Sequence, residues 1–200
     1  MSVRPGEGEP DSIWVTVEFP LSPPALREFL ADTERLFRLH PHLEISAWEA
    51  QAGGGFLLTA KNEASSSGMR TSVQRRDEQP AAGFTLAYDA GLKRDTVFRL
   101  APFASCTQLT VTEHYQPLSG PNDARRTEVD TTLTSWIVTL RQHLAARQQW
   151  GRLPGWRWWN ERFLLRIAPR QRRIVRLLVW ISAAEFLVFL VAVLVLRAAS

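Results

Sequence analysis

Cysteine is almost missing from this 200-residue chain, with Cys106 standing alone. An intrachain disulfide is therefore excluded, and a reducing compartment, where none is needed, suits the composition. Nothing gives the thiol a role as nucleophile either, because no His or Asp stands in a defined relation to it. A small buried residue at a strand start is its expected place. A phosphate-cradling loop is lacking too: Gly53-Gly54-Gly55 lies between two strand-like segments, without the helix N-terminus and lysine such a loop needs. Histidine is scarce, at four residues. His40-Pro41-His42 sets two imidazoles close together, but two ligands are not a site, and the nearest acids, Glu34 and Glu44, belong to other elements. Neither metal nor cofactor is expected. The first twelve residues, MSVRPGEGEPDS, have no apolar stretch of the kind an export signal carries and read as a disordered lead-in. Internal repeats and low-complexity tracts are absent.

What the chain has in abundance is a long apolar run. Residues 177–196 read LLVWISAAEFLVFLVAVLVL, with Glu185 as the single ionisable side chain and no Gly or Pro. Twenty helical residues extend about 30 Å, the thickness of a bilayer's hydrocarbon core, and a helix satisfies its own backbone there. The run is expected to be a single transmembrane helix. Arg152, Arg157, Arg162, Arg166, Arg170, Arg172, Arg173 and Arg176 precede it and Arg197 alone follows, so the excess of positive charge predicts an N-terminal domain on the cytoplasmic side of a cell membrane and a C-terminus on the other.

The formal charge of +4 hides a split. Residues 1–149 carry 15 Lys/Arg against 18 Asp/Glu, net −3, while residues 150–200 carry 9 against 2, net +7. Positive charge concentrated beside a membrane span attracts anionic headgroups, at about 1 kcal/mol per residue near the surface. It does not decorate the globular part, which argues against nucleic acid as a partner.

The globular part reads as residues 13–149. Ile13, Val15, Val17 and Phe19 alternate with polar neighbours, as in a half-buried strand. Two short helices are expected next, the first capped by Ser22 with Pro23 and Pro24 in its first turn, the second by Asp32 or Thr33. Six strand-like segments follow at 43–51, 56–62, 69–76, 83–89, 92–100 and 106–115, with a break expected around Pro102; their short connections favour an antiparallel meander. Val129, Leu133, Trp136, Ile137, Leu140 and Leu144 then recur at three- and four-residue spacing, predicting a long helix over 124–149.

That order of elements, with the segments VTVEFPLSPPALREFLADTERLFRLHPHLEI and DTTLTSWIVTLRQHL, resembles the START-like or SRPBCC superfamily, which includes polyketide cyclase or dehydrase-like proteins and lipid-binding proteins. The resemblance covers about residues 13–149. It implies an α+β helix-grip fold, a curved antiparallel sheet with two short helices gripping a long C-terminal helix, with an apolar cavity between sheet and helix. A curved sheet closed by one helix has physical reason to be hollow, since its own side chains need not fill the concave volume.

Alternation selects the inward residues. Leu109, Val111, Glu113 and Tyr115 share one face of the last strand, and Phe84, Leu86 and Tyr88 one face of an earlier strand. Glu113, Tyr88, Tyr115, Phe84 and Trp136 are thus the candidate cavity contacts, with Glu113 a candidate general acid or base if apolar surroundings hold it; the alternative is an acid at a strand end that reaches water or an arginine. His114, on the opposite, Thr-rich face, is expected at the surface. In the stem, residues 150–176, Trp156, Trp159, Phe163, Leu164 and Ile167 fall on one helical face with Arg157, Arg162 and Arg166 around it. This suggests a helix lying in the headgroup layer and broken by Pro169; the alternative is a face packed on the domain. Glu185 is either a protonated carboxyl or a hydrogen-bonding group for association with a second copy or another membrane protein. Three functions remain open: a membrane-tethered binding module for a hydrophobic molecule or lipid, a polyketide cyclase or dehydratase using Glu113 and a tyrosine, and a membrane assembly protein without ligand.

Overall fold

The computed structural model describes residues 12–64, 67–78, 83–117 and 132–199. The first strand, β1 (Ser12–Phe19), buries Val15, Val17 and Phe19 and exposes Glu18, as one wet face requires. Helix α1 (Pro23–Ala31) starts at a proline whose missing N–H costs nothing in a first turn. Ser22 holds the extended N-cap conformation but its hydroxyl makes no capping bond, contrary to expectation. In α2 (Thr33–Arg38) Asp32 is the cap, its Oδ1 accepting the Arg35 N–H at 2.9 Å. Leu26, Phe29, Leu30, Leu36 and Phe37 turn inward from these helices, at about 2 kcal/mol of burial each.

Six further strands follow: β2 (Leu43–Ala50), β3 (Phe56–Asn62), β4 (Ser67–Glu78), β5 (Gly83–Tyr88), β6 (Lys93–Phe103) and β7 (Cys106–Tyr115). The sheet is antiparallel throughout, in the order β1-β7-β6-β5-β4-β3-β2. Consecutive strands β2 to β7 form the meander, and β1 returns to the far edge beside β7. The expected break at Pro102 is not there; β6 runs through it to Phe103. Pairing explains the tolerance: β5 begins at Gly83, opposite Arg99, so among the described residues Pro102 faces a strand, β7, on one side only and no second ladder lacks its N–H. Cys106 begins β7 but is half-buried, not buried, and its thiol donates to the Phe103 carbonyl at 3.0 Å across the turn.

Helix α3 (Leu133–Trp150) lies on the concave face and buries Leu133, Trp136, Ile137, Leu140 and Leu144. The Trp136 indole N–H donates to the Leu36 carbonyl at 3.0 Å, tying α3 to the end of α2. Residues 1–11 of the expected lead-in and 124–131 of the expected helix, Val129 among them, lie outside the described residues.

The stem is not the one regular α-helix that the aromatic spacing suggests. Its helical part is a π-turn at Trp158–Phe163 followed by a 3-10 turn at Leu164–Arg166, and the buried residues are Leu164 and Leu165, of which Leu165 joins the domain core. Ile167 is extended and breaks the helix; Pro169 opens the next one. That helix, α4 (Pro169–Ala199), carries the apolar run and is long and apolar enough to cross a membrane, its most apolar 18-residue stretch having a mean hydropathy of 2.6 and no buried residue. It starts eight residues upstream of the apolar run itself, and this basic root is docked. Arg172, 9% exposed, donates to the carbonyls of Arg38, Leu165 and Ile167 at 2.6, 3.1 and 3.0 Å. Glu63 accepts the Arg170 N–H at 3.3 Å and pairs with Arg173 at 2.9 Å.

Candidate functional site

Between the concave sheet and α3 lies a cavity of about 360 Å³. Phe37, Leu43, Met69 and Trp136 give it apolar walls from α2, β2, β4 and α3. Polar atoms gather where β5, β6 and β7 meet, from Tyr88, Lys93 and Tyr115. Behind them Glu113 is fully buried. Its Oε1 receives the Lys93 ammonium at 2.5 Å and its Oε2 the Tyr115 hydroxyl at 2.6 Å. Tyr88 shares a hydrogen bond of 3.1 Å with Thr96, itself buried. The Glu113 charge is thus fully paired, and what it presents to the hollow is an oriented ammonium and a hydroxyl whose proton points away from the ligand space.

A second polar element comes from His40, which is 4% exposed. Its Nδ1 accepts the His42 N–H at 3.2 Å. In the neutral ring the proton then sits on Nε2, directed at the Thr132 hydroxyl 2.9 Å away. His40 stacks obliquely on Trp136 with ring centres 5.4 Å apart. This histidine is part of the cavity wall, and among the described residues no group of three or more His, Cys, Asp or Glu side chains converges as a metal site would need.

Of the five expected cavity contacts, Tyr88, Tyr115 and Trp136 stand on the wall. Glu113 does not; it lies behind Lys93 and Tyr115 and acts on the hollow only through them. Phe84 is also displaced from the expected role: it is core, stacked on Phe98 at 4.5 Å with the Arg75 guanidinium 3.8 Å from its ring centre. His114 lies on the outer face, half-buried, with Nδ1 at 2.5 Å from Asp95.

Lys93 is the residue that alternation misses, and a β-bulge is the reason. The β6–β7 register shifts between Lys93 and Asp95, so Lys93 and Thr96, three positions apart, both face inward. Read with strict period two, Lys93 would fall on the outer face with Asp95 and Arg99. One signal was available: Lys61 and Lys93 are the only lysines in a chain whose other side-chain cations are all arginine.

In the stem, Trp156 packs against His143 with ring centres 6.1 Å apart, and Phe163 stacks on Trp159 at 4.9 Å and Trp158 at 6.2 Å. Arg162 and Arg166 line a surface groove facing α2. Burial, then the charges of Arg35, Arg147 and Arg176, hold the His143 imidazole down at about 4. Glu185 lies on the exposed apolar length of α4.

The architecture is shared with solved structures of low sequence identity. A START superfamily protein from Mycobacterium smegmatis is similar at TM-score 0.53 and 15% identity, over 68% of this chain and 97% of that one. A conserved protein from Geobacillus kaustophilus is similar at TM-score 0.53 and 14% identity, over 68% and 96%. A Thermus thermophilus protein, TTHA0849, gives TM-score 0.52 and 16% identity over 70% and 99%. No family model matches the sequence, and no curated protein matches it.

Proposed function

We propose, taking the START-like helix-grip fold as premise, that this chain is a membrane-anchored binding module for one hydrophobic small molecule or lipid. The hollow carries the reading: about 360 Å³, within the usual size of small-ligand sites, with apolar walls and a few convergent polar groups. An apolar body lies against Trp136, Phe37, Leu43 and Met69, and a hydrogen-bond acceptor on the ligand meets the Lys93 ammonium, which Glu113 holds in place. Helix α4 lies in the bilayer with the domain on its cytoplasmic side, and Trp159 and Phe163 of the stem rest at the interface. Glu185 bonds to another membrane helix, where its carboxyl finds a partner that lipid lacks.

The position of the root supports the reading. Arg173 of α4 reaches the Pro41 carbonyl at 3.4 Å and Glu63 at 2.9 Å, and the sequence neighbours of these two, His40 and Asn62, line the cavity. A lipid-soluble ligand thus meets the cavity at the high local concentration that tethering provides. Full-length chain purified in detergent should retain one apolar molecule on solvent extraction, and Met69→Trp, which fills the hollow, should retain none. A wild-type chain that carries no apolar molecule and gains no stability from any added lipid or quinone defeats the proposal.

The contact of Tyr115 with Glu113 also favours a second reading, a cyclase or dehydratase in which the pair relays a proton to a bound polyketide. Unaltered turnover of a candidate substrate by Glu113→Gln would remove it.

A further inference from the structure

A groove of about 440 Å³ runs between α2 and the stem, outside the cavity. Arg35 and Arg38 line it from α2, and Arg157, Arg162 and Arg166 from the stem; Asp32, Glu34 and Glu161 share it. Five cations against three carboxylates leave it +2, and the carboxylates are already engaged. Asp32 caps α2. Glu34 holds Arg38 at 2.7 Å. Glu161 sits 3.2 Å from Arg147 and 3.8 Å from Arg157. Arg162 and Arg166 have no carboxylate partner among the described residues; Arg35 is held more loosely, its Nε 3.7 Å from Asp32 without a hydrogen bond and its Nη2 donating to the Phe29 carbonyl at 2.8 Å, while Glu161 Oε1 is likewise buried without a hydrogen bond. Burial holds Arg35 below its ordinary pKa, with Arg147 and Arg157 pushing the same way against Asp32 and Glu161. Such a cluster is short of one anion.

Its place narrows the anion's source. Arg38, on the groove wall, gives its carbonyl to Arg172 of α4 at 2.6 Å, and Arg166 stands three residues before the start of α4. At 1.5 Å per residue, the start of α4 is about 12 Å from the first residue of the apolar run, a few Å outside the headgroup layer, where long arginine side chains still extend to its phosphates. Trp158 stands on the groove rim, 60% exposed, and indole rings favour the adjoining interface. Guanidinium forks match phosphate oxygens in bidentate geometry, better than a point charge does.

We propose that this groove binds the phosphate of an anionic membrane lipid, with Arg162 and Arg166 as its clamp and Arg35 behind them. The site stands apart from the cavity and rests only on α4 lying in lipid. The chemistry is that of a phosphodiester, and the source is the headgroup beside the helix.

Native mass spectrometry of the full chain released from bilayer discs of phosphatidylcholine and phosphatidylglycerol tests it. Wild-type chain should retain phosphatidylglycerol over phosphatidylcholine. Arg162→Gln with Arg166→Gln should weaken that retention about thirtyfold, whereas the charge-matched pair Arg99→Gln with Arg141→Gln, exposed and away from the groove, should leave it within about twofold. Equal losses in the two pairs would reduce the effect to net charge and overturn the site. Displacement by excess inorganic phosphate would make it a soluble-anion site and overturn the lipid assignment. Met69→Trp separates the two binding regions: retention of phosphatidylglycerol there supports the groove whether or not the cavity takes a ligand, and its loss would assign the lipid to the cavity.

Discussion

Lys93→Met is the sharpest perturbation of the cavity's polar end. It leaves Glu113, fully buried, with the Tyr115 hydroxyl as its charge-stabilising partner at 2.6 Å and without the ammonium at 2.5 Å. Breaking a buried pair by removing one partner costs about 3 to 5 kcal/mol. The Lys93 side chain keeps 20% exposure, so water offsets part of this and about 3 kcal/mol is the expected loss. At roughly 2 to 4 °C per kcal/mol for a chain of this size, the melting temperature should fall by roughly 6 to 12 °C. Adding Glu113→Gln should recover most of it, because the amide oxygen still accepts the Tyr115 hydroxyl and no charge remains to be paired. The assay is thermal unfolding of the full chain in detergent, followed by tryptophan fluorescence, for wild type, both single variants and the double. A Lys93→Met chain melting with the wild type, or a double variant as unstable as the sum of the singles, would refute the account of Glu113 as a charge held by Lys93.

The fold predicts further responses. His143, held at about 4 in the folded chain against 6.5 when free, takes up its proton first in the unfolded state; stability is full above about pH 6.5 and falls by about 3 kcal/mol towards pH 4. His143→Gln should flatten that slope, and parallel melting curves across the window would count against it. Gly83 holds φ +142, and an added Cβ would collide with the Phe98 carbonyl oxygen, so Gly83→Ala should cost more than about 2 kcal/mol in urea unfolding; an unchanged midpoint contradicts the β5–β6 geometry. Arg172→Met removes three bonds to carbonyls, so trypsin should cut after Arg162 and Arg166 at least about tenfold faster. Equal cleavage rates would mean that another contact secures the stem.

The strands were legible because one wet and one dry face leave a period-two trace, seen in β1 and in the alternating burial of β7. Helix α3 was legible by the same logic at period 3.6. Tyr88, Tyr115 and Trp136 could be assigned an inward direction before any contact was known. Lys93 could not, since a bulge changes the parity of a strand without marking the sequence, and Glu113 could be placed inside but not behind its neighbours. The stem was only partly legible, for a different reason. Aromatics at helical spacing are compatible with lipid or with protein, and only tertiary packing selects Leu164 and Leu165 over the tryptophans for burial. Hollowness is a property of summed volumes, which no local pattern encodes.

A root fixed by Arg172, Arg173 and Glu63 removes the slack that a flexible leash would give. Whatever holds α4 at a given tilt holds the whole domain at that tilt, and turning the helix about its long axis sweeps the cavity around with it. On the function proposed above, such a module would have almost no reach: it could not ferry cargo across a gap to a distant acceptor, and any donor or recipient would have to slide up to it in the plane of the helix's own surroundings.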